Sequence, residues 1–397
     1  MSLPARVLRA IIADDLTGAA DAIGSFGASR SSAIVLGADS PWPDSEIVAI
    51  DTGSRYLSAS EAALLVSAAV QRARAENRIV FKKMDSLLRG NVGAELVGAM
   101  TALTGKDRGL AIVAPAFPAT NRVTLGGVIH VGGQPAASAP FHGNIRDALT
   151  FAGMTCQSIT SHSATIASLA GEMRRAHAAG RDSVIVDAVD DFDLEQIARA
   201  AEQLVFPTLL TGSGGLAAHL FPSRGTENVR PEIMSPASRV LVVVGSYSDL
   251  ARSQVDELIR LGCLHVERPL TPGAALSAAA TILASNADVV FTPERLAPVN
   301  KKNAQEVASA LASTVEVVAG HFDALVLTGG ETARAVLDTL GIRTMYVVGE
   351  LEPGIVLSRS VEHLPHLVTK AGAFGDSGSL ARTVRSLKNH TKDLREQ

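Results

Sequence analysis

Short apolar, β-branched runs alternate with Ala-rich segments along nearly the whole chain. "RAIIADD" is followed by "LTGAADAIGSFG", and "EIVAIDTGS" by "SASEAALLVSAAVQRARA". A parallel strand is buried on both faces, so it reads as a continuous apolar run, and it needs a crossover before the next strand. The alternation predicts an α/β fold of largely parallel sheets flanked by helices. Strands are expected at 10–13, 33–36, 47–51, 78–82, 110–114, 183–187, 208–210, 240–244, 289–291, 324–327 and 344–348. A helix is expected over 58–75, because Ser58 and Glu61 have capping-box spacing and Leu57 can staple onto Ala62.

The length of 397 residues and an apolar content of 47% point to two domains with sizeable cores. The clearest break is "FPSRGTENVRPEIMSPASR", rich in Pro, Ser and charge, and an apolar strand follows it. The expected domains are therefore 1–232 and 233–397. The stretch 126–143, "GGVIHVGGQPAASAPFHG", reads as a long irregular loop. A net charge of −4 offers no basic field for nucleic acid, and 4% aromatics leave little surface for base stacking. Cys156 and Cys263 form no metal-type spacing, which fits a reducing, cytoplasmic setting. The N-terminal apolar run is too short for a signal peptide, and no run reaches the roughly 18 residues that span a bilayer. Neither nucleic acid nor membrane is an expected partner.

In open α/β sheets, ligands bind beyond the carboxyl ends of the strands. The first such loop carries Asp14, Asp15 and Thr17. One acid at a helix start is a cap; the second is harder to dismiss. Adjacent residues in an extended chain point in different directions, so the two acids should divide the work. One caps the helix or binds an inner hydroxyl; the other orients the reacting hydroxyl and acts as general base, with Asp85 a rival for that role. A second loop, "DTGSRYLS", carries Asp51, Ser54 and Arg55. A third, "FKKMDSLLRGN", packs Lys82, Lys83, Asp85, Ser86, Arg89, Gly90 and Asn91 together. Its Lys and Arg suit a carboxylate, Arg bidentately, and its Asp suits hydroxyl groups.

The second half carries Gly-rich turns where strands meet helices. "VVVGSYSDLA" holds Ser246 and Ser248; "VLTGGETA" holds Gly329, Gly330, Glu331 and Thr332; "TKAGAFG" holds Gly372. "LTGSGGLA" has the same form at the end of the first half. Free N–H groups at such turns cradle phosphate. No GxxxxGK[ST] occurs, and no GxGxxG follows the first strand. "HLPH", at 363–366, has metal-like spacing, but Pro365 and the lack of a third ligand favour a loop. A polar site for a small hydroxylated acid in one domain, and phosphate-binding turns in the other, make phosphoryl transfer in the cleft between them the natural chemistry.

Together, "ADDLTGAAD", "DTGSRYLS", "KKMDSLLRGN", "PAFPATNRVTLGG", "TGSGGLA", "GSYSDLARSQ", "LTGGETA", "EPGI" and "TKAGAFG", in this order, resemble the four-carbon acid sugar kinase family, which includes D-threonate, D-erythronate and 3-oxotetronate kinases. The resemblance covers nearly the whole chain. It implies a sugar-acid-binding N-terminal domain, a nucleotide-binding C-terminal domain, and ATP-dependent phosphorylation of the terminal hydroxyl of a C4 sugar acid. Mg2+ is expected with ATP, no protein metal ligands are assigned, and a homodimer is an allowed assembly. Asp14, Asp15, Arg55, Lys83, Asp85, Ser86, Arg89 and Asn91 match the substrate-side motifs. Ser246, Ser248, the turn from Gly329 to Thr332, and Gly372 match the ATP side. The chain departs from the family pattern at Leu87, where Thr is usual, at Val356, where a second proline is common, and over 133–149. A non-catalytic sugar-acid or nucleotide sensor is the competing reading from another class. An oxidoreductase is disfavoured by the missing GxGxxG, and a metal aldolase by the missing metal set.

Overall fold

The computed structural model describes residues 7–26, 29–160, 164–220, 231, 233, 235–246, 248–271, 273–294, 304–360, 366–372 and 374–389. The chain divides into two compact units, Met1–Ile23 with Val35–Glu227, and Gly24–Ile34 with Asn228–Gln397. The expected boundary at 232/233 lies beside residues 221–230, outside the described residues. The segment Gly24–Ile34 groups with the second unit because its 3-10 turn, Gly24–Phe26, is packed there. A Cβ on Gly24 would sit 2.7 Å from side-chain atoms of Glu350 and Val356, so glycine is needed at this contact.

In chain order the strands up to residue 212 are β1 (Arg9–Ala13), β2 (Ser32–Leu36), β3 (Ile47–Asp51), β4 (Ile79–Lys83), β5 (Leu110–Ala114), β6 (Arg122–Leu125), β7 (Val128–Val131), β8 (Gln134–Pro135), β9 (Cys156–Ile159), β10 (Ser183–Val186) and β11 (Thr208–Gly212). The first unit carries the order β3-β1-β4-β11-β5-β10-β9, with every adjacent pair parallel. Residues Ala10 to Ala13 and Ile47 to Ile50 are buried, as apolar runs between two helical layers must be. The helix Ala59–Ala75 has the expected capping box: Ser58 Oγ accepts from the Glu61 N–H, and Glu61 Oε2 accepts from the Ser58 N–H at 3.0 Å.

The stretch 126–143 is not an irregular loop. It holds β7 and β8; β7 pairs antiparallel with β6 on one side and with β8 on the other, in a small separate sheet. Gly126-Gly127 turns β6 into β7, and Gly132-Gly133 turns β7 into β8. All four glycines have positive φ, as tight two-residue hairpin turns demand.

The second unit is built from β12 (Val240–Val244), β13 (Leu264–Arg268), β14 (Val289–Pro293), β15 (Ala324–Thr328), β16 (Thr344–Glu352), β17 (Ile355–Arg359) and β18 (His366–Lys370). The order β13-β14-β12-β15-β18 is parallel, and β17 and β16 continue it antiparallel. "EPGI" is the hairpin turn between β16 and β17, with Gly354 at φ +74°. His366 opens β18 rather than lying in a loop; it is buried, and its Nε2 lies 2.6 Å from the Ser235 carbonyl oxygen. His363 lies outside the described residues. Among the described residues no helix is long and apolar enough to cross a membrane.

Candidate active site

Strand order brings distant loops together in the first unit. Because β1 lies between β3 and β4, and β11 lies beside β4, the loops after residues 13, 51, 83 and 212 emerge side by side. The register pairs Ala13 with Asp51 and Lys83 with Gly212. Backbone bonds stitch these loops: the Thr52 N–H donates to the Ala13 carbonyl at 2.9 Å, and the Met84 N–H to the Gly212 carbonyl at 2.8 Å.

Arg55 is the hub. Its Nε and Nη2 donate to the two oxygens of Asp14 at 2.6 and 3.0 Å, and its Nη1 donates to Asp15 Oδ2 at 2.7 Å. Asp85 Oδ2 lies 3.6 Å from Nη2. The Arg55 side chain is only 8% exposed, so these pairs are shielded from water. Burial by itself would raise the pKa of Asp14, but the Arg55 guanidinium, with help from Lys82 and Lys83, holds it below the usual carboxylate range. Gly90 permits this closeness: at φ +86°, a Cβ there would lie 3.1 Å from Asp14 Oδ2 and 3.4 Å from Arg55 Cγ.

Asp15 caps the helix Leu16–Ile23. Its Oδ1 accepts from the Gly18 N–H at 2.9 Å, and its Oδ2 accepts from Thr17 Oγ1 at 2.7 Å. Asp85 is saturated by its own loop. Oδ1 accepts from the Leu87 and Arg89 N–H groups and from Arg89 Nε at 3.0 Å; Oδ2 accepts from Arg89 Nη2 at 2.6 Å. Burial opposes ionisation of Asp85, yet the Arg89 hydrogen bonds and charge, with Arg55 and Lys83, keep its pKa well below normal. The Arg89 side chain is 54% exposed, so part of this cation faces solvent.

Lys82 and Lys83 alternate across β4 and do different work. Lys82 forms a buried pair with Glu95 at 2.8 Å, and Glu95 in turn accepts from Ser54 Oγ at 2.6 Å. Lys83 lies with its ammonium 3.0 Å from the Met84 carbonyl oxygen and 4.0 Å from Asp21. Ser86 Oγ accepts from Arg122 Nη1 at 2.5 Å. Asn91 ties two loops together, its Nδ2 donating to the Ser54 and Leu57 carbonyls, and Asp51 Oδ1 accepts from the Gly53 N–H at 2.8 Å.

Two members of this cluster were not expected from the residues, Asp21 and Arg122. Asp21 stands mid-helix in "ADDLTGAAD" and Arg122 lies beyond β5, and neither position follows a strand of the main sheet. Only the family motifs that contain them carried a signal.

In the second unit, Ser246, Gly329, Thr332 and Gly372 converge at the carboxyl ends of β12, β15 and β18. A Cβ on Gly245 would overlap Thr332 Oγ1 at 1.8 Å, and one on Gly372 would sit 3.2 Å from Ser246 Oγ. Gly329, at φ +96°, is the N-cap of the helix Gly330–Thr339, whose first turn contains Glu331 and Thr332. Ser248 caps the helix Asp249–Arg260 through the Ala251 N–H, and its own N–H donates to Ser246 Oγ at 3.3 Å. A small hollow beside this turn is lined by Val244, Ser246, Arg252, Thr292 and Pro293, among others. Lys370 is a further residue that the motif reading passed over. It ends β18, and burial lowers its pKa to about 8 against the opposing charge of Glu352.

A sugar-binding N-terminal domain family matches residues 9–220, and a nucleotide-binding C-terminal domain family matches residues 241–380. The D-threonate kinase of Cupriavidus necator is 33% identical to this chain, over 93% of the chain and 95% of that kinase. The chain belongs to the four-carbon acid sugar kinase family. As such it is a sugar acid kinase. The 3-oxo-tetronate kinase of the same bacterium is 28% identical, over 98% of this chain and 99% of its own length. A solved Salmonella typhimurium structure, described as a putative tRNA synthase, shares the fold: TM-score 0.78 at 21% identity, over 95% of this chain and 98% of that one.

Proposed function

We propose that this kinase transfers the γ-phosphoryl group of MgATP to the terminal C4 hydroxyl of D-threonate or D-erythronate. The observation that carries the acceptor side is the Arg55-centred cluster, in which Arg89, Lys83 and Arg122 stand beside Asp14, Asp15 and Asp85 at the strand ends of the first unit. A C4 acid offers one carboxylate for the cations and several hydroxyls for the acids. Arg89 is suited to the carboxylate because Asp85 engages its Nε–Nη2 edge and holds the guanidinium in place, while the side chain stays 54% exposed with Nη1 left to donate. Asp14 and Asp15 hold Arg55 and the helix start rigidly, so the pocket is organised before substrate arrives. Two D-threonate kinases, of Cupriavidus necator and Bordetella bronchiseptica, are each 33% identical to this chain, against 28% for the 3-oxo-tetronate kinase of Cupriavidus necator, which supports D-threonate as the acceptor.

On the donor side, Ser246, Ser248 and the turn from Gly329 to Thr332 offer hydroxyls and N–H groups to the phosphates, and Gly372 leaves room for them. Among the described residues no three His, Cys, Asp or Glu side chains are grouped to hold a metal. Mg2+ would enter with the substrate, as MgATP, with phosphate oxygens and water supplying most ligands. Turnover requires both units, whereas each binding event requires one.

The test is ADP release from MgATP with a panel of D-threonate, D-erythronate, their enantiomers and 3-oxotetronate, followed by phosphorus NMR of the product. Fast turnover of D-threonate or D-erythronate with a C4 phosphomonoester supports the proposal. Preference for 3-oxotetronate would move the chain to that branch. Binding of acid and ATP with no ADP release would make it a sensor.

A further inference from the structure

Phosphoryl transfer needs a destination for the proton of the attacking hydroxyl. Asp14, Asp15 and Asp85 are poor destinations, because their oxygens are already occupied. Both oxygens of Asp14 accept from Arg55; Asp15 accepts from Gly18, Thr17 and Arg55; Asp85 accepts from Leu87 and three N–H groups of Arg89. A carboxylate held this way is a weak base, and protonating it would break the ion pairs that shape the pocket.

Asp21 differs from all three. It projects from the helix Leu16–Ile23 into the same cluster, and its side chain is 8% exposed. Among the described residues its carboxylate makes no hydrogen bond, and its nearest cation, Lys83 Nζ, is 4.0 Å away. On the other side it abuts the glycine turn that follows β11: a Cβ on Gly214 would lie 2.3 Å from Asp21 Oδ2. Asp21 therefore sits over the carboxyl ends of the adjacent strands β4 and β11, with unspent acceptor capacity.

Resting on the acceptor reading above, we infer that Asp21 is the general base of the reaction, and that Asp14, Asp15 and Asp85 position the cations. In the step, Asp21 takes the proton of the C4 hydroxyl as its oxygen attacks the γ-phosphorus. The new O–P bond forms, the bond from the γ-phosphorus to the β,γ-bridging oxygen breaks, and ADP leaves with that electron pair. The proton on Asp21 then passes to solvent. The surroundings tune the carboxyl for this. Burial raises the Asp21 pKa to about 6, with Asp15 and Asp85 adding to the rise, and Lys83 and Arg122 opposing it. A base with a pKa near the working pH combines availability with driving force.

The experiment is steady-state kinetics of wild type and Asp21→Asn with the C4-acid panel across about pH 5 to 9, alongside calorimetric binding of acid and ATP. In wild type kcat/KM for the acid should rise with pH through about 6 and then level. Asp21→Asn should lose at least about 10²-fold in kcat, keep ATP affinity within a few-fold, and lose the acidic limb in its residual rate. Asp14→Asn should retain the limb, whatever its rate. Near-normal kcat in Asp21→Asn, or a limb that persists unchanged, would overturn the assignment while leaving the kinase reading intact. Wild type that turns over no acid in the panel would overturn both.

Discussion

A buried carboxyl kept as a base should cost stability, and Asp21 gives that cost a size. Its pKa is about 6 in the folded chain against 3.8 in the reference state. At about 1.4 kcal/mol per pK unit, ionised Asp21 costs the fold about 3 kcal/mol. The sign follows from linkage. The proton that folded Asp21 holds contributes stability that is fully present below 3.8 and lost as pH rises through about 6. Asn mimics the neutral form at every pH, so Asp21→Asn escapes the loss. The amide carries a penalty of its own for being buried without a partner, but that penalty does not vary with pH. The gap between variant and wild type therefore isolates the carboxyl. It should widen in favour of the variant by about 1.5 kcal/mol between pH 5 and pH 8. Urea midpoints at the two pH values measure it. In melting curves the same change corresponds to about 3–6 °C for a unit of this size. A gap that stays flat, or that narrows toward pH 8, would show that Asp21 is not the strained acid described here. A stabilised variant that has lost turnover would be the expected exchange of activity for stability.

Arg55→Ala should cost about 3–5 kcal/mol by leaving Asp14 and Asp15 buried without their shared partner. Asp14 has a lowered pKa in wild type, so its pairing contributes stability above 3.8 that is lost as pH falls through the lower folded value; the deficit of Arg55→Ala should thus be larger at about pH 8 than at about pH 2, by denaturant titration. Arg89→Ala should raise KM for the acid by tens-fold or more and leave KM for ATP nearly unchanged in two-substrate kinetics; the reverse pattern would exchange the roles of the two units. Gly330→Val covers the first N–H groups of the helix Gly330–Thr339, so calorimetry should show ATP binding abolished and acid binding retained.

Much of the fold was legible because its causes are local. Continuous apolar runs marked β1, β3, β5 and β12, since burial on both faces demands them. The capping box at Ser58 and Glu61 marked the start of a helix in the same way. Strands of mixed polarity were not legible. β9, β13 and β18 carry Gln157, His265, Glu267 and His366, and their pairing with neighbours far away in sequence outweighs their composition. The hairpins within 126–143 were signalled by two Gly-Gly pairs, but a stretch rich in turn residues resembles a loop until its strands pair.

The sequence by itself determined which chemical groups this protein has to offer: acids and cations after one set of strands, glycine and hydroxyl turns after another. Only the tertiary structure decided which of those groups are spent on each other. The order β3-β1-β4-β11 sets Arg55 between Asp14, Asp15 and Asp85, although 40 residues separate it from the first pair in the chain. The same order leaves Asp21 buried beside Gly214 with no hydrogen bond of its own among the described residues. Proton affinity depends on solvent exclusion and on charges a few ångströms away, and those distances are set by strand neighbours rather than chain neighbours.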